Sequence, residues 1–277
     1  MTSSRHGDLV ARRQHARRIA AMAVTVLTTY SGATPVAGHA DPQQAESSPI
    51  TLHPKVLATI AHDPAAYTEG LELDGTALYE STGEAGRSQV REIDPATGVV
   101  RRAVPLPDNL YGEGLTVAGD RLWQLTYRDG VALEWDKASL RLLREVPFAG
   151  EGWGLCRDGD HLVRSDGTER LYFHNLADFT ETGSVTVTSA GAAVTGLNEL
   201  ECVDGRIWAN VWPSDELVQI DPGTGIVTAV VDARGMMVGG RRNDQVLNGI
   251  AHIDGQEFLL TAKNWPLMYR VRLDPLA

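Results

Sequence analysis

Glu69 in YTEGL, Glu113 in YGEGL, Asn198 in GLNEL and Asn248 in VLNGI each head an apolar run, and Trp153 in EGWGL holds the same place in a fifth segment. A second set, Tyr127, Asp166, Trp212 and Lys263 with Trp265 beside it, ends the β-rich runs that follow. Carboxylates can carry protons, a lysine or an amide can hold negative charge developing on oxygen, and indoles can wall off water. On one rim these groups would make a binding site with acid–base capacity. Each also has a plainer reading. A glutamate before a strand is usually solvated, tryptophans pack between sheets, a strand lysine is exposed, and asparagines satisfy backbone groups at turns. Glu113 stands out because a glycine on each side would let the backbone approach a ligand closely. Tyr67 and Tyr111 precede their strands identically and, on spacing alone, read as packing residues.

The elements that would gather these residues are legible as a repeat. Turn glycines at Gly75, Gly119, Gly159, Gly205 and Gly255 close the five segments at steps of 44, 40, 46 and 50 residues. That is the period of a four-stranded blade. A second strand follows each turn, as in RLWQLTY and RIWANVW, and a third ends in turn chemistry such as REIDPATG or VQIDPGTG. A fourth β-rich run completes the unit: VVRRAVPL, LRLLREVPF, GSVTVT, IVTAVVDA. No run of ten or more residues shows a convincing 3.6-residue apolar period. The fold expected is all-β, a five-bladed β-propeller over residues 53–277. The run HPKVLATIA (53–61) supplies the outer strand missing from the last blade, which stops near Leu273.

The N-terminus is set aside from this domain. Arg12, Arg13, Arg17 and Arg18 precede an apolar stretch from Ile19 to Leu27, and Gly38 and Ala40 offer a cleavage site. This is the layout of an export signal over residues 1–40; the stretch falls well short of the roughly 20 residues a membrane span needs. Residues 41–52 read as a flexible leader. The protein is expected outside the cytoplasm, secreted or in the periplasm or cell envelope, without a stable membrane anchor and as a monomer. Residues 1–40 carry five arginines and one aspartate, so without them the net charge of −11 becomes −15. That acidity argues against nucleic acid as a partner.

Cys156 and Cys202 each lie three residues before a turn glycine, in the same register on successive inner strands. An exported setting and matched register favour a disulfide. The Cα separation it requires, about 4.4 to 6.8 Å, is demanding between different sheets, and two buried thiols are the alternative.

Eight segments in order, YTEGL, YGEGLT, EGWGL, SDG, LNELE, ANVW, VLNGIA and TAKNWP, resemble the glutamine cyclotransferases of the plant and bacterial type. The resemblance runs from about Val56 to Leu273. It implies a five-bladed propeller, unrelated to the zinc-dependent animal enzymes, that converts N-terminal glutamine of peptides and proteins to pyroglutamate with release of ammonia. It places the essential glutamate at Glu113, the substrate-contacting tryptophans at Trp153 and Trp212, the asparagine at Asn198 and the lysine at Lys263. Tyr67, Glu69, Tyr127, Asn248 and Asp166 complete the expected substrate-binding set. Two departures stand out: Tyr67 and Glu69 replace the Phe and Gln of the usual FTQGL, and Tyr127 replaces a Trp.

Cyclisation by this route needs a group that takes a proton from the α-amine, whose pKa is about 8, and returns one to the leaving nitrogen. Glu113 is the candidate shuttle, with Lys263 and Asn198 stabilising the oxyanion, an effect worth roughly 3 to 4 kcal/mol. The partner expected is a peptide or protein with a free N-terminal glutamine. No cofactor is required, although a structural Ca²⁺ in the channel is compatible with the sequence. Two other readings stand beside this one. Glu69, Glu113, Asn198 and Asn248 are oxygen ligands suited to Ca²⁺, as in a calcium-dependent lactonase or esterase, and a propeller that only binds peptides would need no chemistry.

Overall fold

Each repeat segment turns where glycine permits it. Gly75, Gly119, Gly159, Gly205 and Gly255 have φ between 53° and 68°, the left-handed region that other residues enter at a cost. The computed structural model describes residues 48–237 and 242–275. The export signal expected over residues 1–40, and the leader as far as residue 47, lie outside the described residues. Among those described there is no helix, and hence none long and apolar enough to cross a membrane.

Strand β1 (Ile50–Ala61) precedes four antiparallel runs of four strands and a fifth run of three. Unit I holds β2 (Thr68–Asp74), β3 (Ala77–Thr82), β4 (Gln89–Ile93) and β5 (Val100–Pro105). Unit II holds β6 (Gly112–Ala118), β7 (Arg121–Thr126), β8 (Val131–Asp136) and β9 (Arg141–Pro147), and unit III β10 (Leu155–Asp158), β11 (His161–Ser165), β12 (Arg170–Asn175) and β13 (Glu181–Thr186). A short hairpin, β14 (Thr188–Ser189) and β15 (Ala192–Ala193), leads to unit IV: β16 (Leu197–Val203), β17 (Arg206–Val211), β18 (Glu216–Ile220) and β19 (Val227–Asp232). Unit V has β20 (Leu247–Asp254), β21 (Glu257–Ala262) and β22 (Leu267–Pro275).

Its fourth strand is β1, which runs antiparallel to β22 from Leu52 to Ala61. Residues Ile50–Leu52 also pair in parallel with β19, which merges units IV and V into one eight-stranded sheet. The leader expected to reach residue 52 therefore ends earlier: Ile50–Leu52 are strand, because β19 offers an unpaired edge there.

The first strands of the units touch in a ring, β2 with β6, β6 with β10, β10 with β16, β16 with β20, and β20 with β2. Five apolar clusters fill the spaces between neighbouring units. Leu71 and Leu78 meet Ala251 and Met268 between units I and V; Tyr79 meets Leu122 and Trp135 between I and II. Trp123 meets Leu155 and Phe179 between II and III. Val163 meets Leu200 and Ile207 between III and IV, and Trp208 meets Phe258 and Leu260 between IV and V.

Carboxyls lace the ring below its rim. Glu199 accepts the N–H groups of Leu71 (3.1 Å) and Ile250 (2.9 Å). Glu201 accepts that of His252 (3.2 Å) and Glu72 that of Val117 (3.2 Å). Burial raises all three, and holds Glu72 at about 7. Cys156 and Cys202 are joined in a disulfide that ties β10 to β16, with Cα atoms 5.4 Å apart.

Two outcomes follow for stability. An acid whose pKa is raised by folding contributes stability that is present below its unfolded value and lost as pH rises through the folded one. The unfolding midpoint should therefore fall as pH is raised through about 7, and Glu72→Gln, which keeps the acceptor for Val117, should flatten that slope; an identical slope in the variant would contradict the assignment. Cys202→Ser opens a bridge spanning 46 residues and should cost about 2–4 kcal/mol in urea unfolding without reductant. Reduced wild-type protein should match it, and an unchanged midpoint would show that the bridge carries no stability.

Candidate active site

The heads of the inner strands are not regular β-structure. The pairing register slips between Thr68 and Gly70, between Gly112 and Leu115, between Leu197 and Leu200, and between Leu247 and Ile250. Each bulge contains one of the polar head residues. An extra residue on one strand re-aims side chains, so Glu69 faces a cavity while Leu71, two positions on, enters the core. The same holds for Glu113 and Leu115.

The cavity has a volume of about 380 Å³ and is lined by Tyr67, Glu69, Tyr111, Glu113, Tyr127, Trp153, Asn198, Trp212 and Lys263. At its floor the Lys263 ammonium lies 2.6 Å from Glu69 Oε2 and 4.6 Å above the centre of the Tyr67 ring. Glu69 also accepts from Asn248 Nδ2 (3.2 Å) and from the Tyr111 hydroxyl (3.4 Å). Thr68 anchors this head from behind by donating its hydroxyl to Glu80, which is ion-paired with His62. Glu113 lies close enough to Glu69 to feel its charge. Asn198 is 3% exposed, and its Oδ1 has no partner.

The aromatic wall is continuous. Trp212 stands edge-on to Trp153 at 5.9 Å, Trp153 meets Tyr127 at 6.4 Å, and Tyr127 meets Tyr111 at 5.8 Å. Glu151 fixes the wall at the rim, accepting from Trp153 Nε1 (3.0 Å) and from Arg128 (2.7 Å), whose guanidinium covers the Tyr127 ring. Trp212 is 45% exposed, which leaves the cavity open to solvent on its side.

Burial dominates the electrostatics. It pushes Glu113 well above the usual carboxylate range, and the negative charge of Glu69 pushes in the same direction. Burial also raises Glu69, against the pull of Lys263. Burial alone would lower Lys263, but Glu69 and Glu113 outweigh it and hold the ammonium above the lysine range. The resting site thus contains an ion pair, Glu69 with Lys263, beside a Glu113 that keeps its proton to unusually high pH.

Of the ten expected site residues, eight line the cavity: Glu113, Lys263, Asn198, Glu69, Tyr67, Tyr127, Trp153 and Trp212. Asn248 does not; it is fully buried and bonds Thr68 O and Glu69 from behind. Asp166 does not either, since its carboxylate closes its own turn onto the amide and hydroxyl of Thr168. Trp265 is core, with Nε1 donating to the Tyr269 hydroxyl. Tyr111 lines the site although it reads as a packing residue; its signal was its matched position with Tyr67, two residues before the carboxylate.

The glycines beside Glu113 meet protein, not ligand. A Cβ on Gly112 would lie 2.8 Å from Thr82 O, and one on Gly114 2.5 Å from Leu155 N.

A family model described as glutamine cyclotransferase matches residues 26–273. The chain belongs to the glutamine cyclotransferase family. The glutaminyl-peptide cyclotransferase of Arabidopsis thaliana is 38% identical over 228 residues, 79% of this chain and 71% of the relative. The crystal structure of Myxococcus xanthus glutaminyl cyclase superposes with a TM-score of 0.76 at 35% identity, covering 83% of this chain and all of that one (100%). Against those glutamine cyclotransferase motifs, Glu69 in place of Gln puts a second carboxyl beside Glu113.

That departure has a measurable consequence. Removing a neighbouring negative charge favours ionisation of Glu113, and it frees Lys263 to pair with Glu113 instead. Glu69→Gln should therefore move the acid limb of the rate profile to lower pH. A limb that stays put, or moves up, would sever the link between Glu69 and Glu113.

Proposed function

We propose that this chain is a glutaminyl-peptide cyclotransferase, an aminoacyltransferase that converts N-terminal glutamine of peptides and proteins to pyroglutamate and releases ammonia. The five units are read as blades of a five-bladed β-propeller, with the cavity at one mouth of its channel. The observation that carries this reading is a single cavity lined by Glu113, Lys263 and Asn198 together with Trp153 and Trp212, each at its place in the family's motifs. Export, with residues 1–40 as the signal, and action as a monomer belong to the same proposal.

The chemistry follows from the geometry. A glutamine side chain entering along the wall of the two indoles is screened from water on that side, and its α-ammonium comes beside Glu113. That positive charge favours the ionised carboxylate, so Glu113 gives up its resting proton to solvent and then accepts one from the ammonium. Because burial has raised Glu113 above the usual carboxylate range, taking a proton from the amine is less uphill than for an ordinary carboxylate. The freed amine attacks the side-chain carbonyl carbon to close the five-membered ring. Lys263 and the Asn198 amide stabilise the oxygen that becomes negative. As the C–N bond to the leaving nitrogen breaks, Glu113 returns that proton to it, ammonia departs, and the ring nitrogen gives its surplus proton to the carboxylate. Glu113 ends as it began.

The calcium-dependent reading is less favoured, because Glu69 already meets a positive charge in Lys263. Among the described residues no three His, Cys, Asp or Glu are grouped to hold a metal. A Ca²⁺ in the channel would compete with the backbone N–H groups that already bond Glu72, Glu199 and Glu201.

The test is mass spectrometry of a Gln-peptide incubated with the protein, with the acetylated peptide beside it. The free peptide should lose one ammonia, and the acetylated one, lacking its nucleophile, should not react. Ammonia from both at similar rates would make the protein a general amidase, and none from either would leave a peptide-binding module. Glu113→Gln should fold normally and lose on the order of 10²-fold or more in kcat.

A further inference from the structure

Three cavity residues come from three different units: Glu113 from unit II, Trp153 from unit III and Asn198 from unit IV. Their relative placement is set by one line of hydrogen bonds. The Gly114 N–H donates to Trp153 O (2.7 Å), and the Gly154 N–H donates to Ser165 Oγ (2.7 Å), which donates in turn to Asn198 O (2.7 Å). Every member of this line except Ser165 is main chain. Ser165 is fully buried, and its own backbone makes two further bonds to the same turn, N–H to Gly154 O (3.0 Å) and O from the Trp153 N–H (3.1 Å). The direction of its hydroxyl is forced. An N–H can only donate, so the oxygen accepts from Gly154 and its proton has to go to Asn198.

The fit around this hydroxyl leaves no slack. A Cβ on Gly154 would lie 2.0 Å from Asn198 O, and one on Gly167, two residues after Ser165, 2.6 Å from the Trp153 ring. With the hydroxyl removed, the buried Gly154 N–H and the buried Asn198 C=O would lose the group that bridges them, and the Trp153 turn would shift against the Asn198 strand as the two find new partners.

We propose that Ser165 is a positioning residue for the reaction: its hydroxyl sets the distance between the Trp153 wall and the Asn198 donor. It touches neither substrate nor reacting atoms. This inference rests on the glutamine-cyclising reading of the cavity, and its test separates the two.

Ser165→Ala should lower kcat by about 10- to 100-fold, the scale expected when reacting groups are displaced by about an ångström. The acid limb set by Glu113 should not move, since no charge near Glu113 has changed. Ile207→Val, in the apolar cluster between units III and IV, serves as a control of similar thermal stability and should keep wild-type kcat. A Ser165→Ala enzyme with wild-type kcat would overturn the proposal. So would a loss that Ile207→Val reproduces.

The near-ultraviolet circular dichroism of the edge-on Trp153–Trp212 pair gives a readout that needs no turnover. It should change in Ser165→Ala and not in Ser165→Ala made on a Trp153→Phe background. If wild type releases no ammonia, the cyclase reading fails by itself. The dichroism then decides the positioning role, with an unchanged signal counting against it.

Discussion

The inner strands of this protein lie so close together that backbone touches backbone. A Cβ on Gly70 would sit 2.5 Å from Leu115 N, one on Gly114 2.5 Å from Leu155 N, and one on Gly154 2.0 Å from Asn198 O. Glycine is required at these three heads by the neighbouring strand. The exception is unit IV, where Glu199 stands at the equivalent place and uses its length to bond the backbones of units I and V. Small residues at three heads and one long acid at a fourth amount to a single packing solution for four of the five heads of the ring. The residue just before each of these positions is thereby pinned with its side chain toward the mouth.

That pinning explains why so many charges can be held where water is scarce. Bringing Glu69, Glu113 and Lys263 together in a buried floor is unfavourable unless they compensate one another, and here they do in a definite order. The ammonium takes Glu69 as its partner at 2.6 Å, and Glu113, left without a cation of its own, keeps its proton. A carboxyl in that condition is poorly suited to binding metal and well suited to exchanging a proton with an amine. The aromatic wall contributes by excluding water on the side where Coulomb interactions would otherwise be screened.

Much of this was legible in the sequence, for reasons that can be named. The turn glycines are spaced by the length of four strands, and turn chemistry is local, so period and strand order follow directly. Head residues such as Glu113 and Asn198 are recognisable because polar groups are out of place at the start of a buried run. The bulges were not legible. Strict alternation puts Glu69 and Leu71 on one face, yet the register slip after Thr68 sends one to the cavity and the other to the core. For the same reason the alignment of heads could not separate Asn248, turned behind Glu69, from Asn198, turned into the cavity. Asp166 was misplaced because an aspartate followed by glycine closes its own turn. The disulfide hung on a distance, 5.4 Å between Cα atoms, that matched register alone cannot supply.

The acids of the ring draw the fold and the chemistry in opposite directions. In the proposed mechanism Glu113 becomes a base only as pH rises toward its elevated pKa, so catalysis gains from alkalinity. Glu72, Glu199 and Glu201, also raised by burial, lace the same strands best while protonated, so the frame loses from it. Glu72 accepts the N–H of Val117, three residues beyond Gly114 on the strand that carries Glu113. The working range of such a site is bounded below by its base and above by the acids that hold that base in place. A substitution that lowers the pKa of Glu113 without touching Glu72 widens the range from the acid side alone.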